Sequence, residues 1–305
     1  MKAIVIHKYG GPEELKFDDY ADPVPGPGEV LVRIVATSIN PFDLMRRSGA
    51  AKDFAPIKFP GIVGVDLSGV VVKAGPGVQG FSAGDHIFGM ADQTYAELCV
   101  AKASSLAKIP AGLDVVDAAA LPLVTTTGNE LISVGTGIKA GQTVLVTGAV
   151  GNVGRSAVFT AKDRGAVVIA GVLKKQLQEA ASLGADRIVA TDDEKSMASL
   201  PELDAVADTV NGKTAETLIG KVKRDGVFAT VLGAPQNAKD YASVKVVPVY
   251  ATPDAKILMY MAQAVKAGKL KIPIRRKWPL KDAEQGHAAV AKGSAGKSLL
   301  VVSES

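Results

Sequence analysis

Residues 144–158, VLVTGAVGNVGRSAV, set Gly148, Gly151 and Gly154 three apart between an apolar run and a segment of helical spacing. Glycine at such a junction removes the Cβ that would keep the backbone away from a bound group. The helix that follows offers free N–H groups and the positive end of its dipole, so the turn suits a pyrophosphate. The chain contains 32 glycines, and a triplet alone carries little weight. Its setting within a βαβ unit gives it meaning.

That setting is present. QTVLVTG reads as a strand and GNVGRSAVFTAKDRG as a helix. Strand AVVIAGV, helix KKQLQEAASLG, strands DRIVA and LDAVADTV, helix TAETLIGKV and strand GVFATVLG follow. The alternation predicts a parallel sheet. Upstream, KAIVIH, EVLVRIVATSIN, GVDLSGVVVKAG, GDHIFGM and TYAELCVA are short β-branched runs split by glycine- and proline-rich turns, which predicts a small barrel or sandwich. From about Ala118 the spacing becomes helical, ending in glycine as a C-cap. Near the C-terminus, VKVVPVY holds a proline that suits a sheet edge, DAKILMYMAQAVKAG reads as a helix, and the closing β run is placed to rejoin the first domain.

With 305 residues the chain is long enough for two domains. Hydrophobic residues at 47% and charged residues at 22% mark a globular protein, and 5% aromatics imply an aliphatic core. A net charge of +4, scattered along the chain, argues against nucleic acid as a partner. The basic clusters MRRSG and IRRKW have no interleaved stacking aromatics and read as solvated faces. One cysteine, Cys99, excludes an internal disulfide and reads as a small buried apolar residue. His7, His86 and His287 have no metal-ligand spacing and read as surface or satisfied core residues. No apolar run is long enough to span a bilayer, and a soluble, cytoplasmic protein is expected.

Dinucleotide selectivity is ordinarily read at the end of the second strand, where an acid about 20 residues after the first glycine bonds the ribose of NAD. Here VVIAGVLKKQLQE has no carboxylate before Glu179, while Gly171 leaves room and Lys174 and Lys175 offer charge to a 2′-phosphate. NADPH is the expected cofactor. The alternative reading of both lysines is a solvated helix start.

The landmarks SINPFD, PGIVGVDLSGVV, GVQGFSAGDHIFG, TYAELCV, AALPLVTTTG, the glycine turn, SLGADRIV, DTV and GKSLLVV together resemble the medium-chain dehydrogenase/reductase superfamily, in its zinc-independent quinone oxidoreductase (zeta-crystallin-like) branch. The resemblance runs nearly end to end. It implies an α/β fold in which a Rossmann doubly wound parallel sheet, residues 122–267, is inserted into a co-chaperonin-like β-barrel catalytic domain, residues 1–121 plus 268–305. It also implies a homodimer, joined through the strand VKVVPVY. Alcohol dehydrogenase relatives carry zinc ligands where this chain has Asn40, Val65 and a residue near Leu121, and their four-cysteine lobe is missing, so no metal is expected.

Without a Lewis acid, hydride delivery to an acceptor that is already electrophilic remains feasible. A quinone or an α,β-unsaturated carbonyl fits, because its conjugated oxygen takes the charge. Asn40 is the candidate oxyanion donor, against the alternative of a turn residue before proline. Asp43 is read as bonding the local backbone. The resemblance places Phe42, Thr127, Val249 and Ala251 around the nicotinamide, and Gly148, Gly151, Asn152 and Val153 on the pyrophosphate. It places Gly171, Val172 and Lys174 at the 2′-phosphate, with Thr209, Val210, Leu232 and Gly233 lining strand ends. Relatives carry a tyrosine near Met45 and another where Thr191 stands, and this chain has neither. Two other functions are open: an enoyl-thioester reductase, and an NADPH-binding regulatory or structural protein without turnover.

Overall fold

The computed structural model describes residues 1–293 and 296–302. The chain forms two compact units. One comprises Met1–Leu123, Pro253–Gly268 and the segment from Ile272 onward; the other comprises Val124–Thr252 with Lys269–Lys271. No described helix is long and apolar enough to cross a membrane.

In the first unit the 11-residue strand Glu29–Ile39 is the hub of a seven-stranded sheet. Its valines and isoleucines alternate into a core with Leu67, Val71, Ile87, Cys99 and Leu106. It pairs antiparallel with Asp66–Ala74, Leu98–Lys102 and Lys297–Val301. The closing β run therefore rejoins the first domain, with Leu299 opposite Ser38 and Leu300 opposite Thr37. A smaller sheet joins Lys16–Asp19, Lys2–Ile6 and Gly61–Ile62. Cys99 is buried, which pushes its thiol up to about 12, in keeping with an inert core residue.

The helix Ala255–Lys266, grouped with the Rossmann domain by the sequence reading, falls in the first unit. Its apolar stripe of Leu258, Met261 and Ala262 is buried, and it packs against strand Leu106–Lys108. Periodicity reveals such a stripe without revealing which sheet will cover it.

The second unit is a six-stranded sheet, parallel throughout. Its order is Arg187–Ala190, Val167–Val172, Thr143–Thr147, Leu203–Asp208, Val222–Thr230 and Lys245–Pro248. The order reverses between Thr143–Thr147 and Leu203–Asp208, the switch point at which doubly wound sheets take ligands. These strands read as continuous apolar runs because both faces are covered. The proline-bearing strand Lys245–Pro248 lies at the edge, as expected. The single helix read in KKQLQEAASLG is instead a 3₁₀ turn, Lys174–Gln176, one α turn, Leu177–Ala180, and a second 3₁₀ turn, Ala181–Leu183. Only Ala180 is buried there, so little packing holds a continuous α-helix together.

Candidate active site

The glycine turn is built as its spacing predicts. Strand Thr143–Thr147 ends at Gly148, whose φ of +58° is left-handed, and the helix Asn152–Asp163 starts at Gly151. A Cβ on Gly154 would lie 2.2 Å from the Gly148 carbonyl oxygen, so helix and turn meet backbone to backbone. The helix has no side-chain cap at its start, which leaves the first-turn N–H groups, including those of Asn152 and Val153, for an outside acceptor. The buried Oδ1 of Asn152 has no partner among the described residues. An uncapped helix start over a side-chain-free turn fits a dinucleotide pyrophosphate.

Three strand ends meet at one carboxylate that the sequence does not single out. Asp208 is fully buried, and its Oδ1 accepts from the Thr147 hydroxyl at 2.9 Å and from the backbone N–H of Val210 and Asn211, each at 3.2 Å. Its Oδ2 accepts from the Thr230 hydroxyl at 3.1 Å. This clamp sets Thr209 and Val210 directly against Gly148. The Thr209 hydroxyl donates to the Thr147 carbonyl at 2.8 Å, and Leu232 accepts from Asn211 Nδ2 at 2.9 Å. Gly233 has a φ of +95° just beyond. Val249 follows the edge strand and donates to the Thr230 carbonyl at 2.9 Å, with Ala251 half-buried nearby in sequence. Thr127 is buried on the helix Pro122–Glu130. Gly171 and Val172 end their strand as expected, and Lys174 opens the next turn.

Asn40 and Phe42 belong to the first unit, at the start of the helix Pro41–Ser48. Phe42 stacks on Phe54 with ring centroids 6.4 Å apart, and Met45 and Phe54 are exposed. Asn40 caps the helix, and Asp43 returns a bond by accepting the Asn40 backbone N–H at 2.8 Å, the local role expected of it. The Asn40 amide is occupied at both ends. Its Nδ2 lies 2.8 Å from Asp66 Oδ2 and 3.3 Å from both Ser38 Oγ and Asp43 Oδ2, while its Oδ1 accepts from Lys297 Nζ at 2.6 Å. No amide hydrogen is left for a substrate oxygen, so this geometry makes Asn40 an anchor and works against the oxyanion-donor expectation.

The rest of this centre is sealed. Asp66 also accepts from the Ser38 hydroxyl and from the Leu123 backbone N–H at 2.8 Å, and it lies 3.5 Å from Lys297 Nζ. Tyr95 Oη is 3.1 Å from His287 Nε2 and 3.4 Å from Asp43 Oδ2. Burial, helped by the charge of Asp66, pushes Asp43 up to about 7, against the bond from the Asn40 backbone. Burial drives Lys297 down against the pull of Asp66 and Asp43, lifts Tyr95 far above its ordinary value and lowers His287 to about 3. Among the described residues, no group of three or more His, Cys, Asp or Glu side chains could hold a metal ion. His7 and His86 are exposed, and His287 is a core residue bonded through one ring nitrogen.

Comparison with known proteins fits this geometry. The model of the alcohol dehydrogenase GroES-like domain matches residues 26–111, and that of the zinc-binding dehydrogenases matches residues 183–300. A chloroplast envelope quinone oxidoreductase homolog of Arabidopsis thaliana is 31% identical across 99% of this chain and 98% of its own. A chloroplastic NADPH-dependent alkenal/one oxidoreductase of the same plant is 31% identical across 77% of this chain and 63% of its own. Among solved structures, the Escherichia coli quinone oxidoreductase complexed with NADPH is 26% identical with a TM-score of 0.86, covering 99% of this chain and 100% of that one. The chain belongs to the quinone oxidoreductase branch of the medium-chain dehydrogenase/reductase superfamily, and is an oxidoreductase that uses a nicotinamide cofactor.

Proposed function

We propose that this chain is a zinc-independent, NADPH-dependent reductase that delivers hydride to a quinone or an α,β-unsaturated carbonyl. The reading rests on a dinucleotide cradle in one unit and, in the other, a polar centre with no metal-ligand set among the described residues. At the positions where alcohol dehydrogenases hold zinc, Asn40 is bonded to Lys297 and Asp66, while Val65 and Leu121 are apolar. The nearby carboxylates are engaged, Asp43 with the helix start and Asp66 with Lys297. The names of the quinone and alkenal/one oxidoreductase relatives point to the same class of acceptor.

A bound NADPH supplies the hydride. The glycine turn and the first-turn N–H groups at Asn152 and Val153 hold its pyrophosphate, and the Asp208 clamp keeps the strand ends in register around it. Phe42, Met45 and Phe54 offer an apolar surface to a flat conjugated acceptor. The acceptor's own conjugated oxygen takes the electron pair, so no Lewis acid is needed, and water or a cofactor hydroxyl supplies the proton. The buried network fixes the start of the helix that carries Phe42 and Met45, which makes Asn40, Asp66 and Lys297 positioning residues. The edge strand Lys245–Pro248 is the surface for a homodimer in the cytoplasm.

The test is loss of the reduced nicotinamide signal when an ortho-quinone is added to chelator-treated protein, with NADH run in parallel. Turnover that survives the chelator supports the reading. Nucleotide binding without turnover, or turnover of an enoyl thioester alone, would replace it.

A further inference from the structure

The third parallel strand brings carboxylates to the place where the stretch after the second strand offered none. Strands Val167–Val172 and Arg187–Ala190 run in register, with Gly171 opposite Val189 and Val172 opposite Ala190. The ladder continues through Thr191, whose backbone N–H donates to the Val172 carbonyl at 2.8 Å. Asp192 is thereby fixed beside the turn Lys174–Gln176. Its Oδ1 accepts the Lys174 backbone N–H at 2.7 Å. Asp193 Oδ2 lies 3.6 Å from Lys174 Nζ, and its Oδ1 caps the helix Glu194–Ala198 by accepting from Ser196 N at 2.8 Å.

The N–H that opens a helical turn is the donor a phosphate would seek, and here a carboxylate already holds it. The ammonium of the same lysine has a counter-ion as well. Arg155, on the helix after the glycine turn, is bonded to the Val150 carbonyl and to Glu179. Lys175 is exposed, and no bond to it is seen among the described residues. A 2′-phosphate would therefore meet one unpaired lysine and one paired lysine, with a carboxylate in its way. A ribose 2′-hydroxyl would meet an acceptor.

We propose, on the dinucleotide reading given above, that Asp192 is a specificity-determining residue: its carboxylate competes with the 2′-phosphate for Lys174 and accepts a ribose hydroxyl instead, so that NADH is a working hydride donor beside NADPH. The acid that sets nucleotide choice arrives here from the third strand rather than the second.

The experiment is calorimetric titration of the full chain with adenosine 2′,5′-bisphosphate and with 5′-AMP, which requires no acceptor. The wild type binds the two within about tenfold of each other. Asp192→Asn keeps an acceptor for the Lys174 N–H while removing the charge. It tightens the bisphosphate by about tenfold and leaves 5′-AMP nearly unchanged. Lys174→Met has little effect in the wild type or beside Asp192→Asn, because the ammonium stays paired with Asp193 and the gain comes from the charge removed at Asp192. Asp192→Ser, smaller and also uncharged, gives the same direction if the asparagine variant misfolds. A wild type that favours the bisphosphate by a hundredfold or more, with Asp192→Asn unchanged, overturns the inference and leaves the dinucleotide site standing. Failure of both nucleotides to bind removes the dinucleotide reading itself and this inference with it.

Discussion

The parallel-sheet unit and the barrel unit each prepare for charge, by opposite means. The first does it with backbone: a turn cleared of side chains, an uncapped helix start and strand ends held by one aspartate. The second does it with side chains, where Asn40, Asp43, Asp66, Tyr95, His287 and Lys297 are all buried together. A backbone site keeps its first-turn N–H groups free of side-chain acceptors. A side-chain centre closed on itself is already neutralised, and its use is to hold a helix in place. The difference predicts that damage to the two regions will be read by different measurements.

The largest effect is expected at Lys297, whose side chain is 2% exposed beside an Asp66 that is 0% exposed. Lys297→Met leaves that carboxylate buried without its cation, a loss of about 3–5 kcal/mol in stability. Thermal unfolding should show a marked fall in melting temperature. Below the new transition, binding of adenosine 2′,5′-bisphosphate should match the wild type. A variant of wild-type stability would mean that the centre is not closed by this ion pair, and the contrast would break.

The same centre gives a pH signature. Asp43 titrates near 7 in the folded chain and at the ordinary 3.8 when unfolded. Between about 4 and 7 the fold therefore keeps a proton that the unfolded chain has released, and stability falls as pH rises through that window. His287 is displaced the other way, to about 3 from 6.5, so the unfolded chain takes a proton that the fold refuses and stability rises with pH between those values. The two slopes oppose each other from about 4 to 6.5, each amounting to at most about 1.4 kcal/mol per pH unit. Asp43→Asn should leave the rising slope and His287→Gln the falling one in denaturant unfolding across this range. Like-signed slopes in the two variants would refute the assignment. Asp43 Oδ1 has no partner among the described residues, as suits the protonated oxygen of a neutral carboxyl.

The nucleotide turn was legible in the sequence because its physics is local, with three glycines, a strand and a helix inside 15 residues. The barrel centre was not. Tyr95 and His287 meet across 192 positions, and Asn40 and Lys297 across 257, brought together when the last strand pairs with Glu29–Ile39. The closing run was read correctly as a strand, yet nothing in GKSLLVV says that its lysine points into a carboxylate. Asp192 is hidden for a related reason: the carboxylate beside Lys174 follows the neighbouring strand of the sheet, not the strand that carries Gly171.

The smallest effects should separate two glycines of the same turn. A Cβ at Gly154 meets the Gly148 oxygen at 2.2 Å and Ala149 Cα at 2.8 Å, both of them backbone atoms that cannot swing away. Gly154→Ala should therefore cost about 1–3 kcal/mol and weaken nucleotide binding together with stability, because the helix start itself must shift. At Gly151 the same Cβ would meet only the Gly148 oxygen, at 3.1 Å, and φ is −70°, which any residue adopts. Gly151→Ala should cost no more than about 1 kcal/mol, most of it the poor capping of alanine. Its added methyl still stands at the mouth of the cradle, so bisphosphate affinity should fall by more than stability does. Equal losses in both variants would mean that this glycine serves chain packing alone, and that the turn owes less to its ligand than its spacing implies.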